Sequence, residues 1–74
     1  MQDKSKISYA PLWETMRRRK VTTYELTEKR GFNRGTLYRM ENGKNVNLTT
    51  IAELCEILGC QIQDVVKIEL NNQK

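Results

Sequence analysis

Apolar residues recur at helical rather than alternating spacing along most of the chain. Leu12, Trp13 and Met16 share one side of a segment that opens at Pro11. Proline suits the first turn of a helix, where its missing N–H would have no partner. The pattern predicts a first helix from about Ala10 to Lys20. Thr22-Thr23-Tyr24-Glu25 has the form of a capping box, Thr at the cap and Glu three residues on, and predicts a second helix from Thr23 to about Arg30. Gly31 follows as its stop. Asn33 then caps a third helix, Arg34 to Glu41, with Phe32 and Leu37 placed to pack across the cap. Asn42-Gly43 ends it with two residues that tolerate positive φ. Asn47 caps a fourth helix, with Val46 and Ile51 in the same paired positions. Ile51, Leu54, Cys55 and Leu58 form its apolar stripe, and Gly59 stops it. A short fifth helix, about Ile62 to Val66, adds Ile62, Val65 and Val66 to the core. Only the ends alternate: Lys6-Ile7-Ser8-Tyr9 and Lys67-Ile68-Glu69-Leu70 can pair as a two-stranded ribbon, marginal on its own.

The expected fold is therefore all-α, a compact five-helix bundle, with a short ribbon from the termini as an added element. Residues 1–8 are expected to be a flexible segment or short strand, 9–70 the folded domain, and 71–74 a disordered tail. The length of 74 residues allows one small domain. Such a domain buries only about 60% of its unfolded surface, which leaves little core to wall a catalytic cavity.

Charge sharpens the picture through its distribution. Between Arg17 and Lys44 stand nine basic residues and three acidic ones, a local net of +6 within a chain of net +4. Residues 1–16 balance, and the stretch from Asn45 onward is mildly acidic. A positive middle suits a polyanion on one face, though a solvated surface would also account for it. Arg17 to Lys20 complement the dipole at the end of the first helix or contact phosphate, and the pattern leaves both open. The chain has two cysteines, Cys55 and Cys60, and no histidine. That composition argues against zinc and leaves no Ser/His/Asp or Cys/His set, so no enzyme, cofactor or small-molecule ligand is expected. No apolar run approaches the ~20 residues of a membrane span, and the opening residues lack a signal-peptide pattern. The expected location is the cytoplasm, with reduced thiols and no membrane contact.

The second and third helices, joined tightly at Gly31, have helix-turn-helix spacing. At about 100° per residue from Asn33, Leu37 and Met40 point to the core. Gly35, Tyr38 and Arg39 point away, and Arg34 flanks them. Arginine can bind guanine O6 and N7 bidentately, each good pair discriminating by about 1–3 kcal/mol. Tyr38 can meet a thymine methyl or a phosphate. Gly35 costs about 1 kcal/mol of helix propensity, which packing is not expected to explain and close approach to DNA would. Backbone N–H groups over Glu41–Asn45, with Lys44, are expected to face outward to phosphates, as is the start of the second helix at Thr23.

The ordered set Thr22-x-x-x-Leu26, Gly31-Phe32-Asn33-Arg34-Gly35-Thr36-Leu37-Tyr38-Arg39-Met40-Glu41-Asn42-Gly43-Lys44, Leu48-x-x-Ile51-x-x-Leu54-Cys55-x-x-Leu58-Gly59 and Ile62-x-x-Val65 resembles the lambda-repressor-like (Cro and phage-repressor) helix-turn-helix family. The resemblance covers about residues 7–68. The opening Ile7-Ser8-Tyr9-x-Pro11-Leu12-Trp13 is similar to small stand-alone members. The resemblance implies that the third helix lies in the major groove of double-stranded DNA. By position it assigns Arg34, Gly35, Tyr38 and Arg39 to base reading, and Thr23, Asn33, Asn42 and Lys44 to phosphate contact. It departs at Thr23, often a bracing glutamine, and at Met16, often an arginine paired with the glutamate matching Glu41. Glu41 is left to pair with Arg17, Lys44 or nothing. The expected function is a sequence-specific transcriptional regulator, a repressor, acting as a homodimer. The alternative is a protein-interaction module such as an antitoxin-like or regulatory partner subunit. A nonspecific nucleic-acid binder would spread its basic residues more evenly.

Overall fold

A computed structural model of the chain describes residues 6–69. The expected 71–74 tail, residues 1–5 of the expected N-terminal segment, and Leu70 lie outside the described residues. Strand β1 (Ile7–Ser8) leads into helix α1 (Ala10–Arg19). Helix α2 (Glu25–Lys29), α3 (Arg34–Glu41) and α4 (Leu48–Leu58) follow, then a single 3-10 turn at Ile62–Asp64 and strand β2 (Lys67–Ile68).

The terminal ribbon forms. β1 and β2 run antiparallel with Ile7 opposite Ile68 and Ser8 opposite Lys67, and the Glu69 N–H donates to the Lys6 carbonyl at 2.7 Å. The fifth helix does not form: its place is taken by the one 3-10 turn. The Gln61 N–H donates to the Asp64 carboxylate at 3.1 Å as part of a capping box that starts the turn, and the chain is then drawn into β2. Val65 is nonetheless fully buried, while Ile62 stays half exposed.

The second helix also differs from expectation. It begins at the predicted cap, where the Glu25 N–H donates to Thr22 Oγ1 at 3.0 Å. It then widens into π-helical winding over Glu25–Lys29. The Arg30 N–H reaches back five residues to the Glu25 carbonyl, and the Phe32 N–H reaches back six to Leu26, both at 3.0 Å. The Thr27 hydroxyl donates to the Thr23 carbonyl at 3.0 Å, a back-bond of the kind that loosens and bends a helix. Glu25 does not complete the capping box, because its carboxylate meets Arg30 at 3.3 Å.

The core unites every helix. Leu12 and Met16 of α1, Leu26 of α2, Leu37 and Met40 of α3, and Ile51, Leu54 and Leu58 of α4 are all buried. Trp13 and Cys55 are only partly buried against it. Two polar groups inside the core tie distant segments together. The buried Thr15 hydroxyl donates to the Asp64 carbonyl at 2.7 Å, joining α1 to the 3-10 turn. The Tyr9 hydroxyl donates to the Lys44 carbonyl at 2.7 Å, joining the N-terminal segment to the loop after α3. Burial pushes the Tyr9 hydroxyl pKa up, with a hydrogen bond to the Val46 backbone opposing.

α1 ends at Arg19, one residue earlier than predicted, because Lys20 adopts a left-handed conformation at φ 60°. α4 closes on Gly59 at φ 65°. The same backbone shape is thus held once by a residue with a Cβ and once without. A left-handed L-residue costs about 1–2 kcal/mol, against about 0.5–1 kcal/mol of chain entropy for glycine. Urea unfolding should show Lys20→Gly stabilising by about 0.5 kcal/mol and Gly59→Ala destabilising by about 1 kcal/mol. Tyr9→Phe should cost about 1 kcal/mol, the usual worth of one hydrogen bond. The same variant should flatten the alkaline end of the stability profile. A raised folded-state pKa means that the native state holds its proton longer, so stability falls as pH rises past the ordinary tyrosine value of 10.0.

Candidate nucleic-acid interface

α3 is built with two unlike sides. Its start is fixed by Asn33, whose Oδ1 accepts from the Thr36 N–H at 2.8 Å, and Phe32 and Leu37 on either side of that cap are both buried. Leu37 and Met40 face the core. Arg34, Gly35, Tyr38 and Arg39 are all exposed, Tyr38 to 66%. The four residues expected to read bases therefore share the solvent side of one anchored helix.

The end of α3 corrects one expectation. Gly43 takes φ +73°, whereas Asn42 stays at φ −99°, so only the glycine uses the left-handed region. The Asn42 N–H donates to Tyr38 and Arg39 carbonyls, the Gly43 N–H to Met40, and the Lys44 N–H to Arg39 at 2.9 Å. These backbone groups close the helix and do not face outward. The Asn42 amide Nδ2 likewise donates to the Tyr38 carbonyl at 2.8 Å. The loop presents the Lys44 side chain to solvent, carried on a backbone that Tyr9 holds.

Gly35 acquires a local cause. A Cβ there would sit 3.3 Å from Asn33 Oδ1, the atom that caps the helix. Packing therefore explains part of the glycine that helix propensity leaves unexplained.

Between α2 and α3 runs an open crevice of about 320 Å³, lined by Thr23, Tyr24, Thr27 and Glu28 on one side and Arg34, Leu37, Tyr38 and Glu41 on the other. Thr23, Arg34 and Tyr38 meet here, while Arg39 and the Lys44 loop lie outside its lining. Two members, Tyr24 and Glu28, have no site role in the linear pattern. Tyr24 is 66% exposed beside Tyr38, and an aromatic opposite the buried Leu26 on its own helix was a readable signal. Glu28 forms an ion pair with Arg34 across the turn, which nothing in the linear spacing indicated.

Ion pairing divides the basic residues. Arg17 and Arg18 pair with Glu14, Arg30 with Glu25, and Arg34 with Glu28. Arg19, Lys20, Lys29, Arg39 and Lys44 have no carboxylate partner among the described residues. Glu41 forms no ion pair among them either, which resolves its open partner; Arg17 is engaged elsewhere, and Met16 is buried. Among the described residues no group of three or more metal-ligating side chains occurs, and no helix is long and apolar enough to cross a membrane.

This geometry has relatives. The chain is similar to the transcriptional regulator VanUg in its crystal structure, at 28% sequence identity and a TM-score of 0.76, with 90% of this chain and 91% of that one covered. No curated protein sequence matches it significantly. The family model for the Cro/C1-type HTH DNA-binding domain matches residues 11–71, from the first turn of α1 through β2. The chain belongs to the Cro/C1-type helix-turn-helix DNA-binding domain family.

Proposed function

We propose that the protein is a transcriptional repressor that binds double-stranded DNA sequence-specifically as a homodimer, with α3 in the major groove. The observation that carries this reading is the two-sidedness of α3: Leu37 and Met40 are buried, and Arg34, Gly35, Tyr38 and Arg39 are exposed together. A helix presented in this way can lie in a groove with its N-terminal residues at base edges. The similarity to VanUg, a transcriptional regulator, supports a regulatory role. Occluding a promoter is the simplest way for a bound dimer to act.

In this reading Arg39, unpaired, reads a guanine directly. Arg34 reads with the donors that Glu28 leaves over. Tyr38 meets a thymine methyl or a phosphate, and Gly35 lets the backbone approach. Lys44 and Thr23 contact phosphates through their side chains. Asn33 contributes its Nδ2, since Oδ1 caps the helix. Asn42 acts at most through the amide hydrogen not used on Tyr38.

A second reading, a protein-interaction module, has its own observation in its favour. Leu48, Ile62 and Ile68 are 74%, 49% and 57% exposed around an apolar groove of about 400 Å³ beside the ribbon. Under the first reading the same surface is available to a second copy.

Selection of bound sites from a random duplex pool tests the first reading. A palindromic site is expected, with half-sites about one helical turn apart. Arg39→Ala should lose about 1–3 kcal/mol of discrimination at one position per half-site and retain nonspecific binding. Lys44→Ala should weaken all duplexes alike and reduce the salt slope by about one. Equal binding of unrelated duplexes at physiological salt would sink the reading.

A further inference from the structure

Cys55 and Cys60 occupy two positions that a helix ending brings together. Gly59 is left-handed, and the Cys60 N–H donates to the Cys55 carbonyl at 3.0 Å. This is the six-to-one bond of a Schellman closure, whose geometry lays the side chain after the glycine over the residue three back from the helix end. Here both side chains are thiols. Each is free and half-buried. Two apolar residues would serve the cap equally well, whereas two thiols set side by side can be joined by a disulfide oxidant.

We propose that Cys55 and Cys60 form a dithiol site that closes to an intramolecular disulfide by exchange with a low-molecular-weight disulfide of the glutathione class. One cysteine thiolate attacks a sulfur of the small disulfide, forming a mixed disulfide and releasing one small thiolate. The neighbouring cysteine, deprotonated, then attacks the protein sulfur of that mixed disulfide and releases the second. The two protein thiols are oxidised by two electrons in all, and one small disulfide is reduced to two thiols. The second step is intramolecular, and the cap has already placed the partner sulfur.

The surroundings set the pace. Burial pushes the Cys60 thiol pKa up, Cys55 and Asp64 push it further, and Arg19 opposes them. Exchange needs the thiolate, so attack by Cys60 speeds up as pH rises. Once closed, the disulfide links the last turn of α4 to the segment entering the 3-10 turn, where the Asp64 carbonyl holds Thr15. The site does not depend on the DNA-binding reading.

The test uses the full chain, reduced, incubated with oxidised glutathione at about pH 8, close to the ordinary thiol pKa. The reaction is run in native buffer and in denaturing urea, quenched by alkylation, and read by intact mass. Native protein should lose both thiols together and carry no glutathione. Its ratio of internal to mixed disulfide should exceed that of the unfolded chain at least tenfold. At equilibrium, a tenfold preference means that folding favours the internal over the mixed disulfide by about 1.4 kcal/mol. Cys55→Ser and Cys60→Ser should each stop at one glutathione adduct. Adducts accumulating on native wild type, or thiols that react only in urea, would overturn the proposal. The wild-type comparison does so even where a variant fails to fold.

Discussion

Leu37 and Met40 are exposed to only 4% and 2%, and everything the outer side of α3 can do depends on that burial. A helix of eight residues is too short to be stable in water by itself. It holds its shape here because two apolar side chains dock into the shared core and because both ends are closed. Asn33 satisfies the first turn, and Gly43 lets the chain fold back over the last. The solvent side is then free of structural duty, and its residues can be chosen for chemistry. Burying one side of a short helix and closing its ends converts a marginal segment into a rigid reading surface.

The rest of the fold serves that surface at one remove. Tyr9 lies next to the ribbon and reaches the carbonyl of Lys44, so the N-terminal strand and the loop after α3 are coupled through one buried hydroxyl. The ribbon joins residue 7 to residue 68 and thereby brings both ends of the domain to the same edge. Electrostatics follows the same division. Carboxylates on α1 and α2 engage Arg17, Arg18, Arg30 and Arg34, which leaves Arg39 and Lys44 as unpaired cations on and just beyond α3. Five cations of the basic stretch, Arg19, Lys20, Lys29, Arg39 and Lys44, stay free of carboxylates among the described residues. Arg39 and Lys44 are the two of these on and just beyond α3.

Where the sequence could be read and where it could not has a physical pattern. The caps at Thr22, Asn33 and Asn47 were legible because capping is local chemistry between residues three apart. The stripe Ile51, Leu54 and Leu58 was legible because helical periodicity reports burial. The two-sidedness of α3 followed from the same rule. The π-winding of α2 was not legible, since it depends on a threonine hydroxyl competing for a carbonyl and on where Phe32 must land in the core. The missing fifth helix was not legible either. Ile62, Val65 and Val66 are equally compatible with one turn or two, and the pairing of β2 with β1 draws the chain away after one. Thr15 and Tyr9 were hidden for a related reason. Their hydrogen bonds span 49 and 35 residues, and no local pattern records such a pairing.

The central claim is that the anchored α3 presents its outer side to DNA. Backbone amide chemical shifts followed while a selected duplex is titrated into the labelled protein test it most directly. The account predicts that the largest changes fall on Arg34 to Arg39, with Thr23, Tyr24 and Lys44. Changes concentrated on the Leu48, Ile62 and Ile68 face, with α3 undisturbed, would contradict it.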